Sequence, residues 1–350
     1  MAAPYTSESR SYETLLTTTA AKYEKTVADQ ISKANGLYYV LNKPNVKKMQ
    51  NGGERVEVPL RVIKSSSGGW YDSYDILNVN PANPLTKAFY DWKQLYYSVT
   101  MSRKEERQNS GEGRIINMLQ KLFDDARDAL TEDLNIAFFG STASKAAQGL
   151  QSLIIEVPTS GAIGGITRNT TTNAFWANKV VGEASLTWVA RADATPSAAT
   201  GWIGMEQLYE NCSKGGGPAG MRSPNVCMAN QIGYRRAISS LEPQRRFTNT
   251  ELAKVGFDNV MFNNMAIMWD ELTASATATV GHATVELFYM INTNFMHLYV
   301  DSETDFYTTP FVRPYNQDVR TMQYLWMGQL CVSAMRKHGV LVGSALTEYE

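Results

Sequence analysis

Residues 103–140 read RKEERQNSGEGRIINMLQKLFDDARDALTEDLNIAFFG, and the reading of the fold starts here. Apolar or small residues recur at Ile115, Leu119, Leu122, Ala126, Leu130, Leu134 and Phe138, in steps of three or four. That is the helical period, and it draws one continuous buried stripe. Lys121, Asp124, Asp125, Arg127, Asp128, Glu132 and Asp133 fall on the opposite face. The run opens after Ser110-Gly-Glu-Gly and closes at Gly140, a C-terminal stop signal. A helix over about 114–139 would be roughly 39 Å long, well beyond the usual globular helix. So long a helix needs something long to pack against. Glu132 and Asp133 lie near its C-terminal end, where the helix dipole favours bases. Either a basic group compensates them, with Arg245 and Arg246 as candidates, or they are solvated.

The chain has 350 residues, 43% hydrophobic and 19% charged, enough for a sizeable core in one large or two medium domains. Lys and Arg number 33 against 34 Asp and Glu, so the net charge is -1. Neither the basic surplus nor the basic stripe of a sequence-specific DNA binder is present. Cys212, Cys227 and Cys331 are odd in number and widely spaced, which predicts reduced thiols rather than a disulfide framework. The opening MAAPYTSESRSYETLL lacks a basic region followed by an apolar core, so no signal peptide is expected. No apolar run approaches the roughly 20 residues of a membrane span. The 18 Tyr, 15 Met and 7 Trp suit either protein interfaces or an ordinary core.

Residues 1–35 are polar and small, and read as a segment that is either disordered or an arm on another surface. Asn51-Gly-Gly marks a turn. Over 54–64, Val56, Val58, Leu60 and Val62 alternate with Glu57, Pro59, Arg61 and Ile63, predicting a strand with one apolar face. A second run over 90–101 sets Leu95, Tyr97, Val99 and Met101 against Gln94, Tyr96, Ser98 and Thr100. Between them, 64–88 is rich in Ser, Gly, Asn and Pro yet carries Trp70, Tyr71 and Tyr74. The two runs predict an extended hairpin. Its long loop either docks its aromatics on a partner or folds back as a lid on the same subunit. Past the long helix, 151–219 reads as a second lobe with one short helix over about 204–214. A strand over 226–228 leads into a helix over 231–240. Residues 286–300 read as two strands around Asn-Thr-Asn, and 317–342 as one or two buried strands.

Catalytic patterns are missing. His282, His297 and His338 accompany neither GxSxG nor HExxH. Lys214-Gly-Gly-Gly-Pro-Ala-Gly lacks the Gly-Lys-Ser/Thr ending of a phosphate loop. Glu105-Glu106 and Asp124-Asp125 are adjacent in sequence, so their carboxylates do not converge. Arg103, Lys104, Glu105, Glu106 and Arg107 read as a self-compensating surface or interface network. No enzyme class, cofactor or metal site is expected.

Several local stretches add a resemblance. They are Gly52-Gly-Glu, Tyr90-Asp-Trp-Lys-Gln, Arg103-Lys-Glu-Glu-Arg-Gln-Asn-Ser-Gly, Pro243-Gln-Arg-Arg-Phe-Thr, Thr309-Pro-Phe-Val-Arg-Pro, Asn316-Gln-Asp and Leu325-Trp-Met-Gly-Gln-Leu. Their order, together with arm, hairpin, long helix, lobe and final strands, resembles the major capsid proteins of tailed bacteriophages, with the Hong Kong 97-type fold. The resemblance implies an α+β fold with an N-terminal arm (1–35), a connection (36–54) and an extended β-hairpin loop (55–101). A peripheral domain with a spine helix (102–150) and an axial domain (151–220 and 243–299) follow, with 221–242 and 300–350 returning to the peripheral domain. It implies pentamers and hexamers closing an icosahedral shell around double-stranded DNA, held without sequence specificity, and no membrane. A portal protein is an expected partner, and a separate scaffolding or decoration protein is left open. Because the chain starts almost at the arm, scaffolding is expected from a separate protein or from none. Inter-subunit contacts are expected at Trp70, Tyr71, Tyr74, Arg103, Glu105, Glu106, Arg107, Glu132, Asp133, Arg245 and Arg246. The same fold also builds bacterial nanocompartments around protein cargo, so resemblance alone leaves both kinds of shell open.

Overall fold

The computed structural model describes residues 36–62, 69–77, 85–108, 118–140, 145–169, 172–183, 201–215, 221–240, 259–270, 272–275 and 287–343. They divide between two compact units. The smaller is built on 95–132 and 306–325, the larger on 34–94, 133–305 and 326 onward.

The long helix forms as α3, Met118–Phe139, preceded by the short helices α1 (Gly36–Leu41) and α2 (Arg103–Gln108). Residues 111–117, where the sequence starts the helix, lie outside the described residues. Ala126, Leu130, Leu134 and Phe138 are buried at the expected spacing, and Asp124, Asp125, Arg127 and Asp128 are exposed. The Gly140 N–H closes the helix on the Ile136 carbonyl at 2.9 Å. The chain then returns so close that a Cβ on Gly149 would overlap the carbonyl oxygens of Ala137 and Gly140. Only glycine permits that approach.

In the larger unit six strands form one sheet. They are β7 (Lys179–Glu183), β8 (Val226–Ala229), β9 (Asn259–Phe262), β10 (Met265–Trp269), β11 (Leu287–Ile291) and β15 (Gly339–Gly343), in spatial order β7-β15-β11-β8-β10-β9. Cys227, Ala229, Ile267, Phe288, Met290 and Leu341 pack with α4 (Gly201–Ser213) and α5 (Gln231–Ser240) through Met205, Leu208 and Ala237. Their strand neighbours Val226, Met228, Ala266, Met268, Leu287, Tyr289 and Val340 are buried too. Burial on both faces explains why these strands read as continuous apolar runs rather than alternations. The sheet gathers strands from segments that the resemblance divides between two domains. Periodicity assigns a residue to a face and says nothing of which distant strand lies alongside.

At the end of β10, buried Asp270 accepts the Leu272 N–H at 3.0 Å, and Asn135 of α3 approaches its other oxygen at 3.5 Å. The Asn135 Oδ1 in turn accepts the Tyr38 N–H of α1 at 3.1 Å. Burial raises the Asp270 pKa, opposed by these hydrogen bonds.

The hairpin differs from the sequence expectation in its second strand. β2 (Val56–Arg61) pairs antiparallel with β3 (Leu85–Tyr90), in register from Val56↔Tyr90 to Arg61↔Leu85. The run over 90–101 is instead a separate strand, β4 (Lys93–Ser102), which pairs with β14 (Val319–Val332). Alternation in β4 sets its faces correctly, with Val99 and Met101 buried and Gln94, Tyr96, Ser98 and Thr100 exposed. Its partner was invisible because strand pairing is not a local property. Val56, Val58, Leu60, Ala88 and Tyr90 share the buried face of the hairpin. Pro59, which has no N–H to give, sits on β2, as suits an edge strand.

In the smaller unit β4 and the first half of β14 pack on the N-terminal half of α3, and β13 (Tyr307–Thr308) pairs with β14. Val99, Ala126 and Met322 form the buried centre, flanked by Tyr97, Leu122, Phe123 and Tyr324. The stretch 317–342 is thus two strands, β14 and β15, in different sheets. β11 and β12 (Met296–Asp301) flank the Asn-Thr-Asn turn as expected, and β12 lies between β1 (Lys47–Gln50) and β14.

Candidate assembly surface

The hairpin is fastened at its root. The Tyr90 hydroxyl donates to the Val332 carbonyl at 3.0 Å and accepts the Val332 N–H at 3.3 Å. Burial pushes this phenol well above its ordinary pKa, so it stays protonated and able to donate. Trp92 Nε1 donates to the Gly53 carbonyl at 2.9 Å, and Arg55 meets Asp91 at 3.1 Å. A small hairpin of β5 (Ala162–Ile163) and β6 (Ile166–Thr167) docks on β3, where the Gly164 carbonyl accepts the Phe89 N–H at 2.9 Å. Gly164 has φ +61° and no room for a Cβ against Ala88, so both backbone and space require glycine. Beneath it, buried Arg168 donates to the Leu153 and Ser152 carbonyls. Burial lowers its pKa to about 10, opposed by Tyr90.

The far end of the hairpin is the opposite case. Trp70 and Tyr74 are fully exposed, and Tyr71, Ile76 and Leu77 largely so. The turn beneath them is closed by its own chain. Asp75 Oδ2 accepts the Asp72 N–H at 2.8 Å, Asp72 Oδ1 accepts the Ser73 N–H at 2.7 Å, and the Asp75 N–H bonds the Asp72 carbonyl at 3.0 Å. Self-bonded aspartates of this kind hold a turn without outside help. Trp70 and Tyr74 therefore have no cover among the described residues. Five large apolar side chains are thus exposed within nine residues.

The charged run on α2 resolves into separate tasks. Ser102 and Glu105 form a capping box, with the Glu105 N–H on Ser102 Oγ at 3.2 Å and the Ser102 N–H on Glu105 Oε2 at 3.0 Å. The S-x-x-E spacing of Ser102 and Glu105 is the sequence signature of this cap. Glu106 pairs with Arg320 at 3.2 Å, while Arg103, Lys104 and Arg107 are exposed. Glu132 and Asp133 are half-buried on α3, where the chain passes from the segment 95–132 of the smaller unit to the segment 133–305 of the larger. Arg245 and Arg246 lie outside the described residues.

The three thiols and His338 are all buried. Burial pushes the thiols of Cys212, Cys227 and Cys331 up, Cys212 to about 12. His338 is fully buried, its Nδ1 accepts the Asn292 N–H at 3.2 Å, and burial lowers its pKa to about 3. Among the described residues no three His, Cys, Asp or Glu side chains converge on a metal-sized site, and no helix is long and apolar enough to cross a membrane.

No family model and no curated protein matches the sequence. Solved structures do match. The capsid asymmetric unit of cyanophage A-1(L) superposes with a TM-score of 0.63 at 13% identity, over 93% of this chain and 97% of that one. The capsid of the native GTA particle gives 0.58 at 12% identity, over 92% and 94%. The holo-SrpI encapsulin complex from Synechococcus elongatus PCC 7942 gives 0.58 at 10%, over 96% and 97%. This is a fold from which protein shells are built. More narrowly, the chain has the α+β Hong Kong 97-type fold of phage major capsid proteins.

Proposed function

We propose that this chain is the major capsid protein of a tailed phage, a structural subunit that assembles as pentamers and hexamers into an icosahedral shell around double-stranded DNA. The carrying observation is the end-to-end match to a phage capsid chain, 93% of one and 97% of the other, with no large part left over on either side. The bare aromatic tip supports it, because a shell subunit must bury such a surface on its neighbours. On this reading residues 1–35 act as an arm across a neighbour, and the extended loop overlaps the adjacent subunit. The exposed charges of α2 and the acids Glu132 and Asp133 join inter-subunit contacts, with Arg245 and Arg246 among their partners. The subunit catalyses nothing. It assembles in the host cytoplasm with a portal protein, with scaffolding or decoration supplied by other chains, and ends in the virion. A net charge of -1 suits a lining that holds DNA without gripping it.

The encapsulin match, at 96% and 97% coverage, favours a second reading, a nanocompartment shell around protein cargo. Electron microscopy and sedimentation of particles from the native host, with nuclease digestion and ultraviolet absorbance, decide between them. Closed shells with nuclease-protected DNA are expected. Shells with protein cargo and no DNA would establish the second reading, and small oligomers at every concentration would end both.

A further inference from the structure

The exposed tip has a complementary surface on the same chain. α5 and the end of β10 border an apolar groove of about 270 Å³, walled by Tyr234, Ile238 and Trp269, with Gln231 and Arg235 at its rim. Trp269 is 39% exposed despite lying on an otherwise buried strand. The groove is lined by apolar groups and open to solvent, and the tip presents three aromatic side chains.

Charge selects the occupant. Asp72 and Asp75 stand exposed among the tip aromatics, and each engages only one carboxylate oxygen in the turn. Arg235 is exposed and makes no ion pair among the described residues. An acidic aromatic knob and an apolar groove with a basic rim therefore occur together on one chain, and each is uncovered among the described residues. Arg235 can pair with a carboxylate or lie over a ring, and both contacts favour this occupant.

We propose that the tip over 69–77 of a second copy docks in this groove, one aromatic ring between Ile238 and Trp269 and its aspartates toward Arg235. Knob and groove are different patches, so the contact is heterologous and propagates from copy to copy until a ring closes. The proposal rests on the shell reading and names the surface that receives the extended loop.

Full-length chains carrying Tyr74→Cys and, separately, Ile238→Cys are mixed, assembled and oxidised. The native cysteines are buried and do not compete. A covalent dimer from the mixture is expected, at least tenfold above a mixture of Tyr74→Cys with Ser98→Cys. Adding the surface change Arg235→Glu to the Ile238→Cys chain should lower the dimer yield at least tenfold, and Arg235→Lys should restore most of it. Closed shells without the 74–238 cross-link would overturn the docking and leave the shell reading intact. Unchanged cross-linking with Arg235→Glu would overturn the role given to that cation. Failure of the unmodified chain to form shells would instead count against the shell reading, whatever the cross-link does.

Discussion

Lys337 and His338 show what single residues do here. Lys337 is 1% exposed, and its Nζ donates to the Ser213 and Lys214 carbonyls at 3.3 and 3.2 Å. The ammonium closes the C-terminal end of α4, where the helix dipole is negative and the last carbonyls lack partners. Burial lowers its pKa, with Arg336 and Arg222 adding to the effect. Lys337→Met should cost about 1.5–3 kcal/mol, the usual value of hydrogen bonds to a charged group, read from urea unfolding of the unassembled chain. His338 gives the chain an acid limit. Its folded pKa of about 3 lies below the ordinary imidazole value, so the unfolded chain binds the extra proton first. The stability it contributes is complete above about pH 6.5 and is lost as pH falls toward the folded value. Protonating Nδ1 also ends its bond from the Asn292 N–H. His297, lowered to about 4 by burial and by Lys48, acts in the same direction. Thermal melts should therefore fall steeply between about pH 6.5 and 4, and His338→Asn, which keeps an acceptor without a titrating group, should flatten that slope. Neither role is legible in the sequence. The sequence reads 317–342 as one or two buried strands, and nothing in it shows that Met-Arg-Lys-His-Gly joins them at the end of α4.

Among the elements, the hairpin is the instructive one. Alternation over 54–64 and 90–101 identified two strands and their faces, and both faces are as read. What it missed was the short strand β3, Leu85–Tyr90, hidden in a stretch dominated by Ser, Asn and Pro. The Tyr90 hydroxyl secures that strand to Val332, a residue 242 positions away, and no local pattern announces such a bond. Tyr90→Phe leaves both backbone groups of Val332 without this partner and should destabilise the root by about 1–3 kcal/mol. Hydrogen exchange should localise the loss, with faster exchange over β2 and β3 and little change in β8, β11 and β15. Uniform acceleration across the six-stranded sheet would contradict a role confined to the hairpin root. The long helix was the easiest element to foresee, since its stripe of Ala126, Leu130, Leu134 and Phe138 runs unbroken.

For the whole molecule, the hairpin tip makes the clearest demand. Among the described residues Trp70 and Tyr74 are fully exposed and Tyr71 largely so, on a turn closed by its own aspartates. Deleting residues 65–75 should leave a folded chain, with unchanged far-ultraviolet circular dichroism and a melting temperature within a few degrees of the parent. Closed particles should disappear from electron micrographs. Intact shells from this deletion would show that the tip is dispensable for closure.

The existence and facing of the long helix and of most strands are legible in the sequence, because periodicity is local and each turn or pleat repeats it. Also legible is that three aromatics stand in a polar loop, a contradiction that solvent exposure then confirmed. Only the tertiary structure decided which strands became neighbours, that β4 belongs to β14, and that a lysine and a histidine near the C-terminus are buried. Those outcomes depend on contacts between residues tens to hundreds of positions apart. Such contacts offset the entropy of closing long loops through packing and hydrogen bonds that form together, and that shared balance has no signature in any one segment.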